Sequence, residues 1–536
     1  MCQKSGAHGG HKMGWSNAFI SELYKTTIQP VFELRFHDLG NGIGRSYSVY
    51  SHGTGNLKIA RSGVNVSGVT VTPITWNVSF GGFSVRLVGD STNLFLAVQK
   101  GVFASLYCKL GSSNYERIAI GQLKAIRRTG VSKELFLQFV DLLTAFQNTV
   151  NSEIGSVPSP SSANPPRQDL FYELGTTRQL TSNWTVGDSS MALTNTTGIR
   201  RETGENGVVK VQSTLSSDPF FLEFNSSTAT SISTTPNSGT ATYPSTVTAY
   251  NLATSTGSFV TLCAQLDDHP VDMIGKILES TGTGNNGVYD TLPSAWSIGG
   301  LFDSGLFDYD DGFRQKTLIS GSATTNYKWR LVFDQPKKRG IRDILEISKQ
   351  VGQWAVFRQG SVSWRSCTDP NTSRFVAGKL QNKDIFAVIS HDIFDPNQSN
   401  IYPISKLEYA NATPLNSFYR NSIGVTSGRI PSLPATKEII RSAQLVYSPD
   451  TNENDLALAD LTRMAKWDHF TYERVTLRCK LVTAQFVAGD ILELDTDLIQ
   501  GLNGNYRNTQ GMVVASSFDF STNSSMIQIC VISGER

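Results

Sequence analysis

One segment, residues 340 to 365, predicts an amphipathic helix that leads directly into a tight β-hairpin. Apolar residues recur at three- and four-residue steps as far as Val351, which is typical of one helix face. Gly352 predicts the end of the helix, and apolar residues then alternate on both sides of a Gln359-Gly360 turn. A helix on a two-stranded ribbon is not stable alone, so it must pack against a larger β-framework. The segment carries no catalytic pattern, and a structural scaffold is therefore the first hypothesis.

The same segment predicts its own internal packing. We expect the helix to pack on its hairpin through Ile344, Leu345, Trp354 and Trp364, which fall on the apolar faces of the two elements. Other helices are predicted over residues 15 to 24, from Pro270 towards residue 282, and over residues 455 to 467. The rest of the chain has the short alternating runs that are typical of strands.

Composition predicts a large, ordered and β-rich protein. A chain of 536 residues exceeds the size of one core, so three to five domains are expected. Hydrophobic residues make up 39% and 46 glycines add to them, which is an ordinary globular level. Charged residues make up only 17%, against about 25% in typical proteins. The polar surface must therefore come from Ser, Thr and Asn, and such a surface suits assembly.

The overall charge of the chain does not indicate nucleic-acid binding. Lys plus Arg is 47 and Asp plus Glu is 45, for a formal net charge of +2. Basic clusters at residues 124 to 128 and 337 to 339 are interpreted as solvated faces, because no stacking aromatic residues alternate with them. The six cysteines lie far apart without a C-x-x-C pair, which indicates reduced core residues. Neither a signal peptide nor a membrane span is expected.

The order of composition along the chain predicts six segments. We expect an N-terminal arm, a first β-region, a Pro/Ser linker, a small Ser/Thr-rich β-module, an α/β domain and a second β-region. Their predicted bounds are 1–28, 29–147, 148–166, 167–262, 263–385 and 386–536. The predicted fold class is mainly β with a smaller α/β part.

A weak internal echo links the two outer β-regions. Arg117 and Gly121 precede a pair of alternating strands, and Arg507 and Gly511 precede another pair with nearly equal spacing. A repeat normally needs several matched units, so this single match leaves both duplication and coincidence open.

Only one group of residues suggests a metal site. Cys2, His8 and His11 offer a thiolate and two imidazoles within ten residues, which is three of the four positions that zinc needs. The alternative is a Gly-rich arm without metal, ordered by contact with a neighbouring protein. We expect no required metal and no cofactor.

No catalytic constellation is predicted either. The carboxylates at residues 308 to 311 lack the terminal Glu of a Ca²⁺ loop, so a polar turn is favoured. His269, His391 and His469 are isolated and are interpreted as turn or cap residues. Gly282-Thr283-Gly284 follows a helix, whereas a dinucleotide-binding fingerprint follows a strand. The sequence contains no zinc-protease, nucleophile-elbow or P-loop motif. We therefore predict no enzyme and no catalytic, cofactor-binding or metal residues.

Several stretches resemble the tail or baseplate hub proteins of long-tailed bacteriophages, and also the hubs of phage-like gene transfer particles. The resemblance rests on these stretches, which together span most of the chain: 77–89, 118–123, 268–274, 341–365 and 489–494 followed by paired strands to residue 531. It is a resemblance of pattern and not of an invariant motif.

The resemblance implies a fold and a role. Hub proteins of this family form homotrimers with two related tube-forming barrels per subunit, so six barrels make a pseudo-sixfold ring that continues the tail tube. The resemblance implies that residues 29–147 are the first tube-forming β-barrel and residues 386–536 the second. The implied partners are a distal tail protein, the tape measure protein and tip or fibre proteins. DNA passes through such a ring without specific binding, and a near-neutral chain fits that role. The implied location is the virion tail, after synthesis in the host cytoplasm.

Two other functions remain open from the sequence. The Ser/Thr/Asn-rich residues 167 to 262, with Trp184 and several Tyr, suggest a receptor- or carbohydrate-binding tail protein, and an aromatic platform would mark it. A glycan hydrolase is less supported, because sequence places no pair of facing carboxylates.

Overall fold

A computed structural model describes most of the chain. The described residues are 15–37, 47–128, 134–144, 177–196, 207–214, 219–234, 246–279, 306–320, 327–333, 340–371, 375–395, 400–410, 420–426, 437–447, 453–502 and 504–533, except 26, 54, 93, 95–97, 99, 100 and 263. Cys2, His8, His11, the linker 148–166 and the Gly282-Thr283-Gly284 loop lie outside them.

Four of the five described α-helices begin and end close to where the sequence predicts them, whereas the helix at residues 309–320 was not predicted. The described α-helices are α1 (Asn17–Leu23), α2 (Pro270–Glu279), α3 (Tyr309–Ser320), α4 (Gly340–Gln350) and α5 (Glu453–His469). Two short 3-10 helices are η1 (Asn382–Asp384) and η2 (Leu481–Gln485). None of these helices is long and apolar enough to cross a membrane.

Strands make up most of the ordered structure. Residues 30 to 141 contain β1 (Pro30–Phe36), β2 (Tyr47–Tyr50), β3 (Leu57–Thr72), β4 (Asn77–Ser79), β5 (Gly82–Gly89), β6 (Phe103–Leu110), β7 (Glu116–Arg128) and β8 (Glu134–Asp141). Residues 177 to 268 contain β9 (Thr177–Gln179), β10 (Trp184–Thr185), β11 (Ser190–Ala192), β12 (Gly207–Ser213), β13 (Phe220–Ser227), β14 (Ser231–Thr234), β15 (Thr246–Val247), β16 (Ser258–Leu262) and β17 (Ala264–Asp268).

The remaining strands follow in the second half. They are β18 (Trp329–Phe333), β19 (Gln353–Arg358), β20 (Ser361–Ser366), β21 (Gly378–Gln381), β22 (Ile385–Asp392), β23 (Ile404–Ala410), β24 (Arg420–Thr426), β25 (Glu438–Tyr447), β26 (Thr471–Lys480), β27 (Ile491–Asp495), β28 (Gln500–Gly501), β29 (Gly504–Asn505), β30 (Thr509–Asp519) and β31 (Ser524–Ser533). The fold class is confirmed as mainly β with a smaller helical part.

One 14-stranded sheet contains strands of both outer β-regions. Its main path runs β2-β1-β6-β7-β8-β5-β3-β30-β31-β26-β22, and β4, β21 and β27 pair beside this path. Alternation explains the faces: in β5, Phe83, Val85 and Leu87 are buried while the residues between them are partly exposed. The two regions thus share one hydrogen-bonded sheet.

A second, five-stranded sheet takes strands from both sides of residue 385. Its order is β17-β18-β25-β23-β24, and β23 lies parallel to β25. The strands β23, β24 and β25, which fall within the second predicted β-region, therefore pair with strands of the α/β region and not with the 14-stranded sheet. The predicted domain bounds stay a prediction.

The helix and hairpin of residues 340 to 365 have the predicted structure. Gly352 has a φ of 66° after α4, and Gln359 and Gly360 have φ of 47° and 90° in a two-residue turn between β19 and β20. Positive φ at both central residues matches the right-handed twist of the strands. Ile344, Leu345, Trp354 and Trp364 are all buried in one core, so the predicted packing is confirmed.

Residues 177 to 262 form a module with a core of its own. Its sheet has the order β11-β14-β13-β12-β16-β9, and its core contains Trp184, Met191, Phe224 and Val260. An ion pair between Glu223 of β13 and Arg330 of β18, 2.5 Å apart, joins the module to the five-stranded sheet.

Candidate assembly interface

The hairpins β7–β8 and β30–β31 have the same register. Gln122 faces Val140 in the first, and Met512 faces Cys530 in the second, so both strands differ by 390 in number (512 against 122, 530 against 140). Each ladder has its irregularity at the same place, between Leu123 and Ala125 and between Val513 and Ala515. A β-bulge changes the twist of a strand at a fixed position, so two hairpins with matched bulges have the same local shape.

The match continues into the neighbouring strands. The first hairpin lies in the order β6-β7-β8-β5-β3, and the second lies in the order β27-β30-β31-β26-β22. All neighbours within each set are antiparallel, and the strands appear in the same order along the chain. We call these sets unit 1 and unit 2. The echo that begins at Gly121 and Gly511 thus extends over five strands.

The echoed glycines lie where the partner strand approaches closely. A Cβ at Gly121 would collide with the Val140 carbonyl oxygen. A Cβ at Gly511 would lie 2.6 Å from the Cγ2 of Ile529. Glycine at these positions removes a side chain that the hairpin has no room for.

Units 1 and 2 join through β3 and β30. Asn65, Val66 and Ser67 face Asp519, Phe518 and Ser517 in this antiparallel pair. The start of β30 pairs instead with β27, so one edge of β30 is shared between its own unit and β3. At this junction the edge strand of unit 1, β3, pairs with a strand of unit 2, β30.

Apolar side chains also pack across the junction between β3 and β30. Phe518 and Phe520 are 9% and 5% exposed, and they belong to the core of unit 1. Their rings make edge contacts with Trp15 and Phe32, with ring centroids 6.4 Å and 5.1 Å apart. The contact between the units is therefore a packed core as well as a backbone ladder.

The helix–hairpin segment also contacts residues in or beside both units. The ring of Trp354 stacks on that of Trp76 beside β3, with centroids 6.0 Å apart. Its Nε1 donates to the Ala488 carbonyl oxygen near β27 at 3.1 Å. At the hairpin turn, Nε of Arg117 donates to the Gly360 carbonyl oxygen at 2.6 Å.

Of the carboxylates at residues 308 to 311, Asp308 binds the N-terminus of α3 and Asp311 binds a buried arginine. Asp308 Oδ1 accepts from the backbone N–H of Asp311 at 3.0 Å, which caps the helix. Arg365, 1% exposed, donates from Nη1 to Asp311 Oδ2 at 2.6 Å and from Nε to Asp490 Oδ1 at 3.0 Å. The predicted polar turn was wrong, because residues 309–312 form the first turn of α3, and Asp308 and Asp311 are held by partners within the chain.

Burial and neighbouring charges act in opposite directions on the pKa values of Asp311 and Arg365. Burial would raise the pKa of Asp311, but the guanidinium groups of Arg365, Arg358 and Arg314 outweigh it and hold the pKa well below its usual value. Burial would lower the pKa of Arg365, but Asp490 and Asp311 outweigh it and raise that pKa. Asp311 is ionised and, like Arg365, is paired and buried, which suits a fixed structural role.

Asp141 is a buried carboxyl group at the end of β8. Burial raises its pKa from 3.8 to about 7, although the backbone N–H of Leu143 acts in the opposite direction by donating to Oδ1 at 2.8 Å. It lines a small cavity of about 30 Å³ with Gly82, Phe357 and Phe518, at the junction of the two units and the hairpin.

Each isolated histidine has a structural partner. His269 Nδ1 accepts from the Val271 N–H at 3.2 Å at the start of α2, as a cap residue would, and burial lowers its pKa to about 3. His469 ends α5, with Nε2 3.3 Å from Ser405 Oγ. His391 was predicted in a turn, and this was wrong: it lies in strand β22, with Nε2 2.8 Å from Glu473 Oε2.

The residues that the structure describes contain no cluster of three or more His, Cys, Asp or Glu side chains placed to hold a metal ion. The prediction about Cys2, His8 and His11 falls outside those residues and stays a prediction.

Trp184 does not form an aromatic platform. Its side chain is 1% exposed and packs in the core of the module beside Phe220. The expectation that this residue marks a carbohydrate-binding surface was therefore wrong, because burial removes the ring from any ligand.

The sequence analysis missed an exposed apolar strip along β22 and just after it. Side chains that are 36% to 68% exposed follow one another closely there: Phe386, Val388, Ile389, Ile393 and Phe394. A run of alternating apolar residues signals a strand, but it does not reveal that one edge lacks a neighbour.

Comparison with known proteins gives structural similarity alone. No protein-family model matches the chain, and no curated protein matches it. The tail protein from Neisseria meningitidis MC58 is 10% identical with a TM-score of 0.35, over 94% of this chain and 96% of that one. The 43 kDa tail protein of prophage MuSo2 from Shewanella oneidensis is 8% identical with a TM-score of 0.37, over 94% and 98%.

Two further structures are of the same kind. The prophage tail protein gp18 from Listeria monocytogenes EGD-e is 9% identical with a TM-score of 0.34, over 94% of both chains. The virion of a native gene transfer agent particle contains a chain that is 11% identical with a TM-score of 0.29, over 77% and 82%. These four structures are of phage-type tail and particle proteins, the group that the sequence resembles.

Proposed function

We propose that this protein is a structural component of a phage tail, and that it is the hub of the tail tip or baseplate. Three copies form a ring in which units 1 and 2 alternate, so that six similar units continue the tail tube. The observation that carries this proposal is the pair of five-strand units with matched bulges, joined in one sheet. Two similar units per chain and three chains supply six similar positions around a ring.

The proposed domain roles follow from the same observation. Residues 29–147 and 386–536 hold the ring-forming strands, whereas the inserted α/β sheet and the module of residues 167–262 lie outside the ring. The proposed partners are a distal tail protein, a tape measure protein and tip or fibre proteins. A chain with a formal net charge of +2 suits a passage that DNA crosses without being held.

We propose no catalytic role and no required metal. The buried carboxylates of the 308 to 311 cluster are paired with arginines or a helix terminus, so they already have structural partners. Metal analysis of the purified full chain tests the N-terminal arm. Zinc or iron in a 1:1 ratio that disappears in Cys2→Ser would contradict the proposal, and its absence would favour an arm that contacts a neighbouring tail protein.

The native mass of the full chain and of isolated tail tips tests the ring. We expect a mass of three chains, and class averages that show threefold symmetry with six similar lobes around a lumen. A chain that is monomeric in solution and present as a single copy in the tip would contradict the hub assignment.

A further inference from the structure

The strand β22 is the edge of the 14-stranded sheet among the described strands. It pairs with β26 on one side, and the sheet path ends there. Its counterpart in unit 1 is β3, which lies beside β5 as β22 lies beside β26. The β3 strand does not end the sheet, because its second edge pairs with β30. Unit 2 thus exposes an edge that the equivalent strand of unit 1 has covered.

The strand β7 has the complementary open edge. Its counterpart β30 pairs with β27 through residues 509–512 and with β3 through residues 515–519. The β7 strand pairs with β6 only through residues 116–122, and the described strands place no neighbour on that edge of residues 125–128. Arg127 and Arg128 are exposed there. Among the described strands, each chain therefore has an open edge at β22, which is equivalent to β3, and another at the end of β7, which is equivalent to β30.

We infer that the β22 edge of one copy pairs antiparallel with residues 125–128 of β7 in a second copy of this chain. This contact repeats between copies the β3–β30 junction that exists within each copy. It rests on the proposed ring, because alternating units close a ring only if both kinds of junction are similar.

The register of this contact follows from the matched numbering. Ser67 faces Gly82 on β5, and Asp392 faces Arg474 on β26. Gly82 and Arg474 are equivalent, since they face Val140 and Cys530 of the matched hairpins. Ser67 therefore corresponds to Asp392.

The other strand follows by the same numbering. Ser517 of β30 corresponds to Arg127 of β7. Because Ser67 faces Ser517 within the chain, Asp392 of one copy faces Arg127 of the next. Asp392 already forms an ion pair with Arg474 at 3.2 Å within its own chain, and Arg127 adds a second opposite charge across the new pair, which stabilises it.

The apolar strip supplies the second argument. Phe386, Ile389 and Phe394 are 56%, 54% and 68% exposed along and just beyond this edge. A long apolar edge strand normally has a partner or a device that blocks pairing. Within the chain, the equivalent junction is sealed by apolar rings, Phe518 and Phe520, packed on the core of unit 1. A second copy is therefore the occupant with the matching chemistry.

Engineered cysteines test the register. In antiparallel pairs facing Cα atoms lie about 4.5 to 5.5 Å apart, which a disulfide can bridge. We expect the full-length double variant Arg127→Cys/Asp392→Cys to form covalent dimers and trimers on oxidation. Each single variant serves as the control and should remain a single chain on denaturing gels. The pair Ser67→Cys/Ser517→Cys, at the equivalent junction, should close a disulfide within one chain without changing the mass.

Surface substitutions test the apolar strip. Ile389→Lys with Phe394→Lys should weaken association about 10- to 100-fold, because the exposed rings and methyl groups lose their burial. The matched control is Val88→Lys, since Val88 is 41% exposed and its equivalent in unit 2 is Lys480. It should leave the native mass unchanged.

The possible outcomes distinguish the assignment of the two strand edges from the proposal of a trimeric ring. A trimeric native mass without covalent products from the double variant would overturn the assigned edges and leave the ring intact. Covalent products that extend beyond trimers would support the edges and contradict closure at three copies. A chain that is monomeric both in solution and in tail tips would overturn both proposals.

Discussion

Replacing Trp354 with alanine should destabilise the whole framework, because this ring contacts two distant parts of the chain. It is 1% exposed, stacks on Trp76 beside β3 of unit 1 and donates to the Ala488 carbonyl oxygen near β27 of unit 2. Truncating a buried tryptophan costs about 3 to 5 kcal/mol through the lost burial and the cavity. The stack and the unpaired carbonyl oxygen both add to the loss. We therefore expect about 5 kcal/mol.

Urea unfolding followed by far-UV circular dichroism measures this loss, provided that the slope of the transition is unchanged. Trp354→Phe keeps a ring against Trp76 but removes the hydrogen bond, so about 1 to 2 kcal/mol is expected. Phe313→Ala is the exposure control, since its ring is 72% exposed and the change should stay within about 0.5 kcal/mol. A loss below about 1 kcal/mol for Trp354→Ala would refute the packing argument.

Three further predictions concern charge and backbone space. Asp141 holds a proton in the folded state between pH 3.8 and about 7, so stability falls as pH rises through that window. Asp141→Asn should then match the wild type at about pH 4 and gain up to about 4 kcal/mol at about pH 8, as thermal melts would show. Arg365→Met should cost about 3 to 5 kcal/mol at pH 7, because it removes the cation paired with buried Asp490 and one of the cations paired with buried Asp311. The stability from ionised Asp311 is present above its unfolded pKa of 3.8 and is lost as pH falls below it, so the cost should shrink in acid. Gly121→Ala should destabilise more than Gly511→Ala in the same assay, because the first collides with backbone and the second with a side chain.

Local sequence signals were sufficient for the elements whose contacts are close in the chain. The helix α4 and its hairpin depend on an apolar face, a glycine at positive φ and a two-residue turn, all within 27 residues. The starts of α2 and α5 were predicted from a proline and from apolar spacing in the same way. The proposed function followed from resemblance and not from such signals, because no catalytic motif was found in the sequence that would name a reaction.

Partner choice between strands was beyond the sequence. A period-two pattern shows which side chains share a face, but it does not name the strand that pairs along each edge. The placement of His391 in an edge strand and the burial of Trp184 depend on neighbours far away in the chain, which explains both errors.

The sequence by itself determined a mainly β chain, its helix–hairpin segment and the first hint of duplication at Gly121 and Gly511. Only the tertiary structure decided that the two β-regions share one sheet and that β3 pairs with β30 across some 450 positions of sequence. It also decided which edges remain open, at β22 and at the end of β7. The physical reason is that helix and turn preferences act over a few residues, whereas a ladder between strands is selected by packing of the whole core.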